Sequence, residues 1–297
     1  MAKYVVLGAS GQTGAATTNA LIGHSTVRVA VRSESKGAAW KERGAEVAIV
    51  EDVTDIDALA CAFEGMAGAF VLNPPDYTSD DMFARAEQVA SALVEAAQRA
   101  HLPKIVALSS IGSHLSLGTG NILTTHILEK ALKRLPAEVA IGFVRAAGFM
   151  ENWQSLLPVV QQKGILPSFY TPLERAMPMV STIDIGQACA DGLVQEWQGT
   201  QVWELHGPQP LSPNQVAASF SRILKRDVQA VVISESEWTS TLAQMGNSPS
   251  TTKSYSEMLS AFNNGTLVFE EHGTKRLQGK TTIDEAVRSW ASTNSQN

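Results

Sequence analysis

The first fourteen residues restrict the fold of this chain more than any other stretch. A short apolar run at 4–7 leads straight into glycines at 8, 11 and 14, in the segment VVLGASGQTG. Glycine lacks a Cβ and tolerates positive φ, so the chain can turn sharply there and bring bare backbone close to a bound group. A helix that starts at such a bend offers unsatisfied N–H donors and a partial positive charge, which suit a pyrophosphate. Ser10, Gln12 and Thr13 add side-chain donors to those of Gly8, Gly11 and Gly14. A glycine triplet alone is weak; this one follows a strand, opens a helix and heads a βαβ series.

Apolar runs at 4–7, 27–31, 45–50, 67–72, 104–108 and 139–144 read as strands, with helical patterns at 14–22, 55–63 and 82–100 between them. Thr54 is placed to cap the second of these helices. The strands are apolar on both faces, as parallel strands covered by helices must be. After about 148 the alternation gives way to a stretch broken by Pro158, Pro167, Pro172 and Pro178. A helix at 183–196 and a strand at 201–205 then return, and helices are expected near 213–224, 235–245, 254–262 and 283–290. The expected fold is α/β: a Rossmann-type doubly wound parallel sheet with a smaller, mixed α/β C-terminal substrate lobe. Residues 1–150, rejoined by 183–205, form the nucleotide-binding domain, and 151–297 form the substrate-binding lobe. The polar end of the chain, 292–297, is expected to fray.

Composition narrows the partners. A net charge of −6 over 297 residues repels a polyphosphate backbone, so nucleic acid is excluded as the main partner. There is no signal-peptide pattern and no run of about 20 apolar residues, so the expectation is a soluble, cytoplasmic protein with no membrane association. The two cysteines, Cys61 and Cys189, lie far apart and rule out a disulfide framework or a thiolate zinc site; both are read as core residues. The histidines lack metal-ligand spacing, and no GxSxG elbow appears, so neither a metal site nor serine hydrolysis is expected.

The second strand ends on Arg32, where NAD-binding domains carry an acidic residue for the ribose hydroxyls. Arg32 and Lys36 instead suit a 2′-phosphate, which favours NADP(H) over NAD. Asp52, in VEDVTD, follows the third strand where an adenine would lie; an adenine contact and a capping role are both open. Asn73 and Pro74 end the fourth strand and complete the cofactor-binding set.

GASGQTG, Arg32 with Lys36, EDVTD, LNPP at 72–75, LSSIG at 108–112 and GFMENW at 148–153 together resemble the NmrA-like family of atypical short-chain dehydrogenases. That resemblance implies a Rossmann-type fold and NADP. Its members include NADPH-dependent quinone, azo-dye and triphenylmethane-dye reductases, together with NADP-sensing regulators. The chain departs from the family at Arg145, which is followed by Ala146 and Ala147 instead of Pro and Gly.

Conventional short-chain dehydrogenases pair a Tyr and a Lys at i and i+4. No tyrosine here has that partner. His126 and Lys130 share the spacing on the comparable helix, with Glu129 beside them, and Ser110 ends the fifth strand; His126, Lys130 and Ser110 form the candidate catalytic set. His114, Phe149, Met150, Trp153 and Tyr170 are the candidate walls of an acceptor pocket. The expected activity is hydride transfer from NADPH to a flat apolar acceptor such as a quinone or an azo dye, with a homodimer left open. The competing expectation is a non-catalytic NADP(H)-sensing regulator.

Overall fold

A computed structural model describes residues 2–294, and the end of the chain at 295–297 lies outside the described residues. Its centre is one parallel sheet of eight strands. Six come from the first half: β1 (Lys3–Leu7), β2 (Thr26–Val31), β3 (Glu46–Ile49), β4 (Gly68–Val71), β5 (Lys104–Ser110) and β6 (Ala140–Ala146). Between them run α1 (Gln12–Leu21), α2 (Glu34–Glu42), α3 (Ile56–Phe63), α4 (Met82–Arg99) and α5 (Leu123–Leu132).

Beyond β6 come β7 (Gly148–Phe149), α6 (Leu157–Lys163), β8 (Ile165–Ser168), β9 (Met179–Val180), α7 (Thr182–Val194) and β10 (Thr200–His206). The chain ends with α8 (Pro213–Leu224), β11 (Gln229–Val232), α9 (Glu235–Gln244), α10 (Pro249–Asn263), β12 (Lys275–Gln278) and α11 (Ile283–Asn294). The sheet order is β12-β10-β6-β5-β4-β1-β2-β3. Strand β10 rejoins beside β6, as its sequence pattern implied, whereas β12, a polar KRLQ segment, was not anticipated.

The two-residue period of a strand divides each apolar run between two cores. Val5, Leu7, Ile105 and Phe143 point to the face covered by α3, α4 and α5. Val6, Phe70, Val106 and Val144 point to the other, where α1 and α7 pack. On α4, Val89, Ala90, Leu93, Ala96 and Ala97 recur at spacings of three and four and are buried, and Asp81 caps the helix by accepting from the Ala84 N–H at 2.9 Å. Leu93 is fully covered, a burial that contributes about 2 kcal/mol. A third core, with Met150, Trp153, Leu166, Phe220 and Trp290, lies beneath α6, α8 and α11.

Two local expectations are corrected. The cap of α3 is Asp55, not Thr54: its carboxylate accepts from the Ala58 N–H at 3.0 Å. Cys61 is exposed, because Leu59, Ala62 and Phe63 take the inward face of α3; Cys189 is buried as expected. No helix among the described residues is long and apolar enough to cross a membrane.

Candidate functional site

From β1 the chain steps outward to β2 and β3, then returns to place β4 on the opposite side of β1. A doubly wound sheet opens a crevice at such a reversal, outside the carboxyl ends of the strands. The glycine bend lies there. Gly8 has φ of +68°, a left-handed conformation that disfavours any side chain, and its carbonyl accepts from the Gly11 N–H at 2.8 Å. Gly14 is constrained by space: a Cβ there would stand 2.2 Å from the Gly8 oxygen and 2.5 Å from its carbonyl carbon. Helix α1 begins with Gly11 as its N-cap, with no side-chain cap and no acidic residue in its first turn. Its amino end is therefore left for an anion.

A cleft of about 490 Å³ extends from this bend. Of the expected cofactor residues, Gly8, Ser10, Gly11, Arg32, Asp52 and Pro74 line it. Gln12 is exposed at the helix start, Thr13 and Gly14 are buried beneath it, and Lys36 is exposed on α2. Asn73 turns inward, and its amide donates to the carbonyls of Ala86 (3.3 Å) and Thr124 (3.4 Å), tying the end of β4 to α4 and α5. The side chains of Arg32 and Lys36 have no ion-pair or hydrogen-bond partner among the described residues, so both charges remain available.

Asp52 has a partner that sequence reasoning missed. Its Oδ1 accepts from the Thr54 N–H at 2.9 Å and from Arg85 on α4 at 2.6 Å. The Thr54 backbone bond first, and then Arg85, hold this carboxyl below the usual carboxylate range. Arg85 lines the same cleft. Nothing in a single sequence links it to Asp52, 33 residues away.

The candidate catalytic residues fall elsewhere. Lys130 is exposed, and with His126 and His114 it lines a second cleft of about 480 Å³ that shares no lining residue with the first. His126 places Nδ1 2.9 Å from the Ser113 carbonyl, the geometry of an Nδ1–H donor. Ser110 lines neither cleft. The residues drawn together lie one position away on strand and helix. Ser109 donates to Glu129 Oε1 at 2.6 Å and lies 2.9 Å from Ser113 Oγ, which is 2.5 Å from Thr125 Oγ1. Arg145 grips both oxygens of Glu129 at 2.8 Å and donates to Glu270 at 2.5 Å. Burial by itself would lift the Glu129 carboxyl, but the hydrogen bonds and charge of Arg145 outweigh it and hold it below the usual range.

Of the candidate acceptor residues, Met150 and Trp153 are buried in the third core, where the Trp153 indole donates to Met179 Sδ at 3.4 Å. Tyr170 packs edge-on against Trp153 at 5.8 Å, Phe149 is half-buried beside β9, and His114 lies in the second cleft. Among the described residues no group of three or more His, Cys, Asp or Glu side chains is placed to hold a metal ion.

A reversal-point crevice, an uncapped helix start and a glycine that admits no Cβ define a doubly wound α/β protein of the dinucleotide-binding type. The chain belongs to the NmrA-like family, which it matches over residues 2–290. It is 26% identical over 223 residues to an NAD(P)H azoreductase from Xenophilus azovorans, across 73% of this chain and 71% of that one. Its fold is similar to that of the Citrobacter sp. triphenylmethane reductase complexed with NADP(H), with TM-score 0.76 and 18% identity over 98% of this chain and 100% of the other. It is equally similar to NADPH-dependent quinone oxidoreductase from Escherichia coli complexed with NADPH, with TM-score 0.76 and 19% identity over 99% and 100%.

Proposed function

We propose that the chain is an NADPH-dependent reductase acting on a flat, apolar acceptor such as a quinone or an azo dye. The observation that carries this reading is the bend itself: Gly14 cannot accommodate a Cβ, and the start of α1 above it has no side-chain cap. The azoreductase relative supports the activity, and the complexes of the two structural neighbours support the cofactor.

The residues fit the dinucleotide by their chemistry. The amino end of α1 would hold the diphosphate, Arg32 and Lys36 a 2′-phosphate, and Asp52, fixed through Oδ1, has Oδ2 left to accept from an adenine amino group. When bound, NADPH supplies the hydride. The chain orders the cofactor and keeps water from the reacting face, while 1–150 with 183–205 serves as the nucleotide domain and 151–182 with the segment after 206 as the acceptor lobe. The test is loss of reduced nicotinamide absorbance on adding a naphthoquinone or an azo dye; no turnover across a broad acceptor panel would remove the reading.

Replacing Arg32 with Glu should weaken NADPH binding by about 10- to 100-fold, the worth of a charge-assisted contact, while NADH binding holds or improves. Calorimetric titration of both nucleotides checks this, and unchanged selectivity would exclude a 2′-phosphate at Arg32. Lys130, exposed and outside the glycine cleft, gives a contrasting expectation. Lys130→Ala should leave kcat within about twofold, as for an ordinary surface change. A loss of tenfold or more with NADPH binding intact would return the reacting group to the His126–Lys130 pair.

One observation favours the regulator reading: Glu129, on the helix comparable to the one that carries the Tyr and Lys pair of conventional short-chain dehydrogenases, is locked to a buried arginine. A redox sensor must bind NADP+ and NADPH with different affinities. Equal affinities together with turnover would dismiss that alternative.

A further inference from the structure

Three of the chain's four tyrosines converge between the loop after β4 and the α9–α10 region. Tyr77 follows directly on Pro74, Pro75 and Asp76, which line the glycine cleft. Its ring lies 6.4 Å from that of Tyr255 on α10. Tyr255 and Tyr170 border the same apolar cluster around Trp238 and Leu259, and Tyr170 stacks edge-on against Phe262 at 5.7 Å. The loop is pinned to the start of α10: Ser248 donates its N–H to the Tyr77 carbonyl at 2.9 Å and its hydroxyl to the Ser79 carbonyl at 2.6 Å.

A covered tyrosine ordinarily finds a hydrogen-bond partner for its hydroxyl. Tyr77 is instead 44% exposed, and the Tyr170 and Tyr255 hydroxyls, without a partner among the described residues, are not fully buried, so all three still meet open space. Burial pushes the Tyr170 phenol up to about 12 and raises Tyr77, though part of that ring reaches solvent. Tyr255 is raised by burial and further by the neighbouring phenols of Tyr170 and Tyr77. All three are therefore neutral O–H donors near neutral pH.

Resting on the reductase reading, we propose that Tyr77, Tyr170 and Tyr255 form the acceptor's seat, whose phenol hydroxyls donate hydrogen bonds to the oxygens of a flat, quinone-like molecule. The aromatic walls supply the apolar contact. The three donors select an acceptor that carries oxygens over a bare hydrocarbon of the same shape, since a polar group matched to its donors is discriminated more sharply than apolar area. None of the three loses its proton; they hold negative charge that builds on the acceptor oxygens once the hydride arrives, and water delivers the one proton that completes the hydroquinone.

The test uses the full chain saturated with NADP+, which cannot reduce the probe, and titrates 1,4-naphthoquinone by quenching of tryptophan fluorescence; Trp153 lies 5.8 Å from Tyr170. Tyr255→Phe and Tyr77→Phe keep the rings and should each weaken naphthoquinone binding by about three- to tenfold, one net hydrogen bond. Naphthalene should bind both variants as it binds the parent. Equal naphthoquinone affinity in parent and variants overturns the proposal, as does a matching loss for naphthalene, which would mean packing rather than donation. NADP+ binding is measured separately by calorimetry. Its absence in the parent would sink the reductase reading and this inference with it, whereas intact NADP+ binding with indifferent tyrosines sinks this inference alone.

Discussion

Gly14→Ala is expected to cost about 3–5 kcal/mol of stability, lower Tm by on the order of 10 °C, and weaken NADPH binding by about 100-fold or more. Gly14 sits in a regular helical conformation, so the penalty comes from space and not from backbone preference. The added methyl would meet the Gly8 carbonyl at 2.2 Å and the Ala9 nitrogen at 2.9 Å, and backbone cannot swing aside as a side chain can. The bend would have to open, dragging Gly8 from its place and the start of α1 away from the anion it faces. Thermal melts with and without NADPH check both halves. A variant that melts and binds like the parent would show that the bend is not built as described.

Arg145→Met should be similarly severe. Glu129 is 2% exposed, and the substitution would leave its carboxylate buried without its main partner, a loss of about 3–5 kcal/mol at neutral pH. Adding Glu129→Gln removes the stranded charge and should recover part of it, a non-additivity that denaturant titration reads directly. The pH dependence has a definite sign. A carboxyl held low in the folded state contributes stability that is present above its unfolded value, about 4.3, and is lost as pH falls through the lower folded value. The parent should weaken as acid protonates Glu129. Arg145→Met, already without the pair, should show a shallower decline over the same range. Parallel acid limbs would mean that the pair contributes nothing.

What the sequence revealed follows from how each part is held. Buried parallel strands are continuous apolar runs, so β1, β4, β5 and β6 stand out against their surroundings. The edges do not. In β12, Lys275, Arg276 and Gln278 are exposed and only Leu277 is partly covered, so its KRLQ pattern resembles a loop. Helix α2 is inconspicuous in the sequence for the same reason: of ESKGAAWKE only Gly37 is buried.

At the candidate site, the glycine bend was legible because its chemistry lies in one contiguous segment. Asp52 with Arg85, and Ser109 with Glu129 and Arg145, are pairs across strands and helices that no local spacing encodes. On α5 the group drawn inward lies one residue from the expected His126 and Lys130 pair, and burial gives the reason. Leu128 and Leu132 face the sheet, which carries Thr125 and Glu129 inward along the same stripe and turns His126 and Lys130 about 100° away. An apolar stripe drawn first, before looking for titratable pairs, marks Glu129 as the inward-facing carboxylate.

Strand β12 has one more consequence. It pairs with β10, Trp203 opposite Lys275, and the Gly279 N–H donates to the His206 carbonyl at 2.7 Å, so the chain that departs at 207 comes back to a neighbouring position 68 residues later. That whole excursion, with Tyr255 inside it, is topologically a cartridge plugged between two adjacent slots of one scaffold. Its own strand, β11, pairs with β8 and not with the eight-stranded sheet, so a change of length inside the excursion leaves the β10–β12 register where it is.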